Sequence, residues 1–303
     1  MTRIEKTHLG FIGVGNMGMG MLTRWRSLGG GATAYDIEPA CMQAARSLGA
    51  DTVSSPRAVA AALGSDALLV VCVVDAAQCE DVFWGVNGVC ESAPAGLTVL
   101  LTPTLGPVDV RAMTTRLASA GVAVIDAPMS GGPVRAAAGT MSLMVSGPTR
   151  RKWWFVLEAL ANPVFDLGDV IGDGAKTKLV NNLLAAINLV GAAQIMTLAA
   201  RLDLDPQKTL AVIAESSGHS WIAMDRLSRV LAGDATPRAH MRLLAKDSRL
   251  AMEAALGVGY SPEMGAIAQE HFAEALAAGM EAADDSAMWA FIQSLVNAKG
   301  TQP

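Results

Sequence analysis

The stretch Leu9-Gly10-Phe11-Ile12-Gly13-Val14-Gly15-Asn16-Met17-Gly18 decides how the chain begins. Leu9 to Ile12 reads as a short buried strand, and helical periodicity takes over from Asn16 to Leu28. Between them lies G-x-G-x-x-G, directly after a strand and opening a helix, which is the context that motif requires. Gly13 permits a tight turn, Gly15 lets the backbone approach a pyrophosphate, and Gly18 allows close helix–sheet packing. Val14, Asn16 and Met17 complete a loop whose helix N-terminus offers amide donors to phosphates. Asp36 ends the next strand, 18 residues after Gly18. A carboxylate there accepts hydrogen bonds from both ribose hydroxyls and repels a 2′-phosphate, so NAD is expected over NADP.

Outward from this loop the pattern alternates. Strands are predicted at Ala32–Tyr35, Asp51–Val53, Ala67–Val74, Leu97–Leu101 and Val122–Ile125, with helices at Pro39–Leu48 and Pro56–Leu63. Such alternation implies right-handed crossovers and a parallel sheet covered on both faces. Thr140 to Gly147, with Asp166 further on, is expected to add strands at the sheet edge. After about Gly168 the pattern becomes helical: Ala175 to Leu202, about 40 Å long at 1.5 Å per residue, then segments at Ser220–Leu231, Pro237–Leu256 and Asp285–Val296. Asp205-Pro206 and Ser261-Pro262 each read as an N-cap with a first-turn proline, and Gly279 as a helix stop. The expected fold is therefore α/β: a Rossmann-type doubly wound parallel sheet, followed by an all-α domain joined through a long interdomain helix. Residues 1–168 are assigned to NAD binding and residues 169–303 to substrate binding and dimerisation.

Composition narrows the function classes. Of 303 residues, 51% are hydrophobic and 17% charged, with mean hydropathy +0.35. The longest apolar run, Ala67 to Val74, falls well short of the roughly 18–20 residues of a membrane span. Net charge is −5 with no basic run, which argues against a nucleic-acid surface. The polar start, Met1 to His8, lacks the apolar core of a signal peptide. Cys41, Cys72, Cys79 and Cys90 show no CxxC spacing, and the four histidines are scattered. Reduced thiols, a cytoplasmic location and no metal site are expected. The Ala-rich helices suggest a subunit interface.

Two further segments carry chemistry. Asp126-Ala127-Pro128-Met129-Ser130-Gly131-Gly132-Pro133 follows the last parallel strand, on the carboxyl edge where ligands bind in such sheets. A hydroxyl followed by two glycines offers backbone amides suited to gripping a carboxylate. Gly172-Asp173-Gly174-Ala175-Lys176-Thr177-Lys178-Leu179-Val180-Asn181-Asn182 opens the long helix after a flexible Gly-x-Gly turn. Lys178 and Asn182, four residues apart, share one helix face. A lone lysine in a first turn is ordinarily a solvated side chain; one in a crevice can exchange a proton with a hydroxyl that the Asn holds. Its ordinary pKa near 10.4 makes it a poor base at pH 7, and burial or a second cation such as Lys176 or Lys246 would lower it.

These motifs resemble the β-hydroxyacid dehydrogenase family over nearly the whole chain. The glycine loop matches at Gly13 to Gly18, and D-A-P-V-S-G-G at Asp126 to Gly132 with Met129 in place of Val. G-x-G-x-x-x-K-x-x-N matches at Gly172, Gly174, Lys178 and Asn181, and a late K-D-x-x-L-A at Lys246, Asp247, Leu250 and Ala251. The resemblance implies reversible NAD-dependent oxidation of a small hydroxy acid, threonate-like, 3-hydroxyisobutyrate-like or tartronate semialdehyde-like. Lys178 would be the acid/base, and Asn182 with Asn181 would hold the substrate. Ser130, Gly131 and Gly132 would bind its carboxylate, and Lys246 would reach the nicotinamide end of the site. Thr104 occupies a cofactor-contact position, although Pro103 and Gly106 replace the usual serines. Val73-Val74 replace the usual Leu-Pro, leaving backbone contact at Val74. The resemblance also implies a homodimer or homotetramer.

Asp75-Ala76-Ala77-Gln78, Ser217-Gly218-His219-Ser220-Trp221, Leu231-Ala232-Gly233-Asp234, Pro237-Arg238-Ala239 and Asp284-Asp285-Ser286-Ala287 resemble the threonate-oxidising branch. His219 and Trp221 are candidates for the substrate pocket, with domain packing the other reading of Trp221. The rival readings are an imine reductase, which usually carries another residue at the lysine position; a 6-phosphogluconate-type decarboxylating enzyme, which needs a longer helical domain; and a non-catalytic nucleotide-binding protein.

Overall fold

The structure, a computed structural model, describes residues 2–234 and 236–300. The chain divides into two compact units, Met1–Lys178 and Leu179–Pro303. The first alternates: β1 (His8–Ile12), α1 (Asn16–Ser27), β2 (Gly31–Tyr35), α2 (Pro39–Ser47), β3 (Asp51–Thr52), α3 (Pro56–Ala62), β4 (Leu68–Val71), α4 (Ala76–Trp84), β5 (Thr98–Leu101), α5 (Pro107–Ser119) and β6 (Ala123–Asp126). These strands form one parallel sheet in the order β3-β2-β1-β4-β5-β6. The order reverses beside β1, where Ile12 pairs with both Tyr35 and Val71. That switch point opens the crevice in which doubly wound sheets bind ligands. Apolar clusters cover both faces, one around Phe11, Trp25 and Leu157, the other around Val71, Phe83 and Leu101. Burial on both faces explains why β4 and β5 are uninterrupted apolar runs.

β7 (Met129–Ser130), α6 (Gly132–Ala138), β8 (Ser142–Val145), α7 (Trp154–Leu160) and β9 (Val164–Asp166) follow. Contrary to expectation, these strands do not extend the main sheet: β7, β8 and β9 form a separate sheet, joined to β6 by the bridge between Asp126 and Ser146. β4 is also shorter than the apolar run predicts. Past Cys72 the chain turns, the Val74 N–H donates to Gln78 Oε1 (2.9 Å), and Asp75 caps α4 through the Gln78 N–H (2.9 Å).

α8 (Asp173–Arg201) runs 29 residues and carries the chain from the first unit into the second. By length and composition it could cross a membrane, with a mean hydropathy of 1.8. Its Ala186, Leu189, Val190, Ala193 and Met196 instead belong to the core of the second unit. That core is completed by α9 (Pro206–Ala214), α10 (Trp221–Leu231), α11 (Met241–Leu256), α12 (Glu263–Ala277) and α13 (Met288–Gly300). Asp205 caps α9 through the Gln207 and Lys208 amides, as predicted. Ser261 does not cap α12; Pro262 takes that position without a side-chain bond. Gly279, at φ +80°, ends α12.

α11 starts four residues later than the sequence suggests. The Arg238 and Ala239 amides donate to Asp284 Oδ2 (2.7 and 3.2 Å), which draws that segment out of the helix. Asp284 Oδ1 also accepts from Arg229 Nη2 (2.5 Å) and from the Ser286 N–H (3.1 Å). Beside it, Asp285 grips Arg226 through Nε and Nη2 (2.5 and 3.1 Å). Burial opposes the Arg226 charge, but Asp285 and Asp225 outweigh it and raise its pKa. Burial likewise opposes the Asp284 charge, yet the Ser286 side chain and the three backbone amides hold its pKa down to about 2. A carboxylate depressed in the folded state stabilises above its ordinary pKa of 3.8, and that contribution is lost as pH falls towards 2. Asp284→Asn should therefore cost about 1–2 kcal/mol at pH 7. Denaturant titration from pH 7 down to pH 2 should show the variant losing less stability than wild type below pH 4; parallel profiles would contradict the role.

Candidate active site

The glycine loop sits at the carboxyl ends of β1 and β2, and its three glycines are glycine for different reasons. At Gly13 (φ +83°) a Cβ would lie 2.3 Å from the Cys72 carbonyl oxygen, and at Gly18 one would lie 2.0 Å from the Gly13 carbonyl oxygen. Both are demanded by the protein's own packing. At Gly15 a Cβ would meet nothing within 4 Å. Gly15 and Asn16 are exposed and border a groove of about 520 Å³ shared with Ala40, Cys41, Pro133 and Val134. The space over Gly15 is what a pyrophosphate at a helix N-terminus requires. The Val14 side chain is fully buried and Met17 packs against the core, so these two shape the loop from beneath.

Asp36 lies beside that loop. Its Oδ2 accepts from the Val14 N–H (2.7 Å) and its Oδ1 from the Glu38 N–H (2.9 Å). Each oxygen keeps a lone pair for a ribose hydroxyl. Cys72 underlies the loop, and burial pushes its thiol up to about 11, so it is not a thiolate. Thr104 lies in the loop after β5. Val74 is 41% exposed, but its amide is occupied by Gln78, which narrows the backbone contact expected of it.

Ser130 closes β7, and Gly131 and Gly132 open α6 with φ +129° and +78°. A Cβ on Gly132 would meet nothing within 4 Å, so the loop leaves its backbone approachable. Asp126, at the start of the same motif, is 1% exposed. Its Oδ2 accepts from the Gly172 N–H (3.1 Å), the Ala175 N–H (3.0 Å) and Ser146 Oγ (3.1 Å). Ser146 Oγ in turn accepts from the Gly174 N–H (3.1 Å). Burial pushes the Asp126 pKa up while these donors pull it back. The Gly172-x-Gly174 turn is therefore not the flexible element predicted. Gly172 sits at φ +98°, and a Cβ on Gly174 would lie 2.6 Å from the Met144 carbonyl oxygen and 2.9 Å from Asp126 Oδ2.

Lys178, one turn beyond Ala175, is 7% exposed and is not the solvated surface amine of the ordinary case. Further along α8 lies a polar cluster of the second unit. Asn181 Nδ2 donates to Asn182 Oδ1 (3.0 Å), Asn182 Nδ2 donates to Asp247 Oδ2 (2.6 Å), and Lys246 Nζ pairs with Asp247 Oδ1 (2.9 Å). Asp247 thus joins Asn182 to Lys246. Sequence reasoning quoted both Asp126 and Asp247 inside motifs and gave neither a role. The signal available was an acidic residue within a site motif of a charge-poor chain, next to Lys246 for Asp247 and four residues before Ser130 for Asp126. His219 is exposed and Trp221 is 51% exposed, so Trp221 is not a core packing residue.

Known proteins are similar to this chain in sequence and fold. Residues 8–168 match the family model of the NAD binding domain of 6-phosphogluconate dehydrogenase. Residues 172–292 match that for NAD-binding of NADP-dependent 3-hydroxyisobutyrate dehydrogenase. The L-threonate dehydrogenase of Cupriavidus necator is 35% identical over 93% of this chain and 94% of its own length. That of Escherichia coli K12 is 33% identical over 93% of each. A crystal structure of 3-hydroxyisobutyrate dehydrogenase from Salmonella typhimurium superposes with a TM-score of 0.86 at 31% identity, covering 93% of this chain and 99% of that one. Fold, glycine loop and these matches define a nicotinamide-dependent hydroxyacid dehydrogenase. The chain belongs to the β-hydroxyacid dehydrogenase family.

The division among the glycines is testable. Gly18→Ala should destabilise the protein by about 1–3 kcal/mol through overpacking. Gly15→Ala should leave the melting temperature unchanged while raising the nucleotide Kd about tenfold or more, since it fills space a ligand needs. Thermal melts and fluorescence titration with NAD would check both, and an equal loss of stability in the two variants would refute the distinction.

Proposed function

We propose that this protein reversibly oxidises the hydroxyl of a small hydroxy acid with NAD, using Lys178 as the proton-transfer group. The observation that carries this reading is the burial of the Lys178 amine, one turn past a clamped helix start, at the position of the family's lysine motif. Ser130, Gly131 and Gly132 receive the substrate carboxylate on approachable backbone amides. Asn182 orients the reacting hydroxyl, with Asn181 beside it, because each of its polar atoms keeps capacity for one more hydrogen bond. Lys178 takes the hydroxyl proton during oxidation and returns it during reduction. The bound nicotinamide supplies the hydride acceptor. Gly13 to Gly18 hold the pyrophosphate, and Thr104, the Val74 backbone and Lys246 contribute further cofactor contacts.

Asp36 supports NAD over NADP, because a carboxylate beside the ribose position repels a 2′-phosphate. A polyhydroxy acid of the threonate type is the preferred substrate, supported by the named relatives in Cupriavidus and Escherichia; 3-hydroxyisobutyrate is the second reading, supported by the Salmonella structure. Residues 1–168 act as the nucleotide domain and 169–303 as the substrate and dimerisation domain. Four cysteines outside any disulfide among the described residues suit a cytoplasmic setting.

Turnover of C3–C4 hydroxy and sugar acids, followed at the nicotinamide absorbance band with NAD and NADP, tests the activity. Lys178→Ala should cut kcat by about 10²–10⁴-fold with nucleotide binding unaltered. Retained turnover would remove Lys178 from the mechanism.

A homodimer is part of the same reading. Val180, Leu184, Ile195, Leu198 and Leu202 are 50–71% exposed and recur at helical spacing along one stripe of α8 and its end. A contiguous apolar stripe of that kind marks an interface, and a two-fold pair of copies is the commonest way to cover one. Light scattering after size exclusion should give twice the chain mass, and Leu198→Glu should shift it towards the monomer. A wild-type monomer at micromolar concentration would refute the assembly.

A further inference from the structure

We infer that Asp126, with Ser146, is a positioning residue for Lys178: the pair fixes where α8 begins and therefore where the lysine amine is held. The inference rests on the proposed role of Lys178. The first amides of a helix have no partner within it and must find acceptors elsewhere. At α8 the Asp173 amide turns back to the Val170 carbonyl (3.2 Å), while the amides of Gly174, Ala175 and the preceding Gly172 go to side chains of one buried cluster. Asp126 Oδ2 takes the Gly172 and Ala175 amides at 3.1 and 3.0 Å, and Ser146 Oγ takes the Gly174 amide at 3.1 Å while donating to Asp126 at 3.1 Å. The Gly172 and Ala175 amides and the Ser146 hydroxyl all donate to the Asp126 side chain, so the carboxylate acts in its accepting form. A buried anion against a helix N-terminus is also favoured by the helix dipole.

Three features give this cap a function beyond ending a helix. Lys178 follows Ala175 by three residues, so a shift or rotation of the first turn is transmitted to it directly. The glycines at 172 and 174 leave no slack, since a Cβ at 174 would strike both Met144 and Asp126. The Asp126 backbone, meanwhile, is held independently: its N–H donates to the Ser146 carbonyl (3.0 Å) and its carbonyl accepts from the Ser146 N–H (2.8 Å). The bridge that leads into Met129 and Ser130 therefore survives loss of the side chain. Removing the carboxylate should release the lysine turn while leaving the carboxylate-binding and nucleotide loops in place.

The test uses the full chain and compares Asp126→Ala, Asp126→Asn, Ser146→Ala and Lys178→Ala. For each, kcat, substrate KM, NAD Kd and melting temperature are measured. Asp126→Ala should lower kcat about 10²-fold, as a misplacement of about 1 Å can, with KM and NAD Kd within about threefold of wild type. Asp126→Asn, which keeps an accepting oxygen, should recover about tenfold of that loss. Ser146→Ala should lower kcat about fivefold to tenfold, the effect of losing the hydroxyl that links the Gly174 amide to Asp126 while Asp126 keeps its own two amides. A folded Asp126→Ala protein with kcat within about threefold of wild type, or a kcat loss matched by an equal rise in KM and NAD Kd, would overturn the inference. If Asp126→Ala does not fold, Ser146→Ala decides, and wild-type kcat in that variant overturns it. Lys178→Ala separates the two levels: full turnover there defeats the reading of Lys178, whereas a dead Lys178→Ala beside an active Asp126→Ala defeats only the positioning role.

Discussion

Burying a carboxylate is costly unless donors surround it, and a helix that starts inside a protein is costly unless its first amides find acceptors. Asp126 meets both needs at once. Its Oδ2 gathers the Gly172 amide from just before α8, the Ala175 amide from the first turn and the Ser146 hydroxyl, so buried carboxylate and helix start satisfy one another. From that single arrangement follow the left-handed Gly172, the absence of room for a side chain at Gly174, and the placement of the lysine one turn later. Because Asp126 also ends β6, the last strand of the parallel sheet, the main sheet itself sets the start of α8.

The nucleotide loop follows a similar logic in a different currency, space rather than charge. Gly13 and Gly18 are excluded from bearing a Cβ by backbone atoms of the protein, whereas Gly15 faces nothing. A sequence motif treats the three alike, but only the middle one is left open by folding. Asp36 ties this loop to the end of β2 through the Val14 amide, so the residue proposed to read the ribose also stiffens the loop proposed to hold the pyrophosphate. A change at Asp36 therefore alters cofactor choice and loop geometry together, and binding data on such a variant need that coupling in mind.

Much of this was legible in the chain because local patterns determine it. Strands buried on both faces are plain apolar runs, the glycine loop keeps its strand-to-helix context, and Asp205-Pro206 caps α9 as its residue types require. What was misread depends on partners distant in sequence. β8 and β9 read as additions to the main sheet, yet the chain leaves β6 through Ala127-Pro128, and β8 meets β6 at an isolated bridge, Asp126 with Ser146. The start of α11 was set too early because the amides at 238 and 239 are claimed by Asp284, 46 and 45 residues away. The Gly-x-Gly before α8 read as flexible because glycine signals freedom locally, while the carboxylate that pins it lies 46 residues earlier.

The same distinction bears on substrate. Of the segments that resemble threonate-oxidising relatives, Asp75 and Gln78 cap α4 and hold the Val74 amide. The segments around Asp234, Arg238 and Asp284 close on one another: Arg238 Nη2 meets Asp234 Oδ2 (2.6 Å), and the Arg238 amide meets Asp284. These residues are accounted for by the fold, so their likeness to relatives records a shared scaffold and carries no information about the ligand. The segment from Ser217 to Trp221 is different, because His219 and Trp221 are exposed and Ser220 alone is spent on capping α10. An imidazole and an indole left outside the core are groups able to recognise a polyhydroxy chain by hydrogen bonding and stacking. Under the proposed preference for a polyhydroxy acid, those two side chains are the ones in these segments that the scaffold leaves available to a ligand.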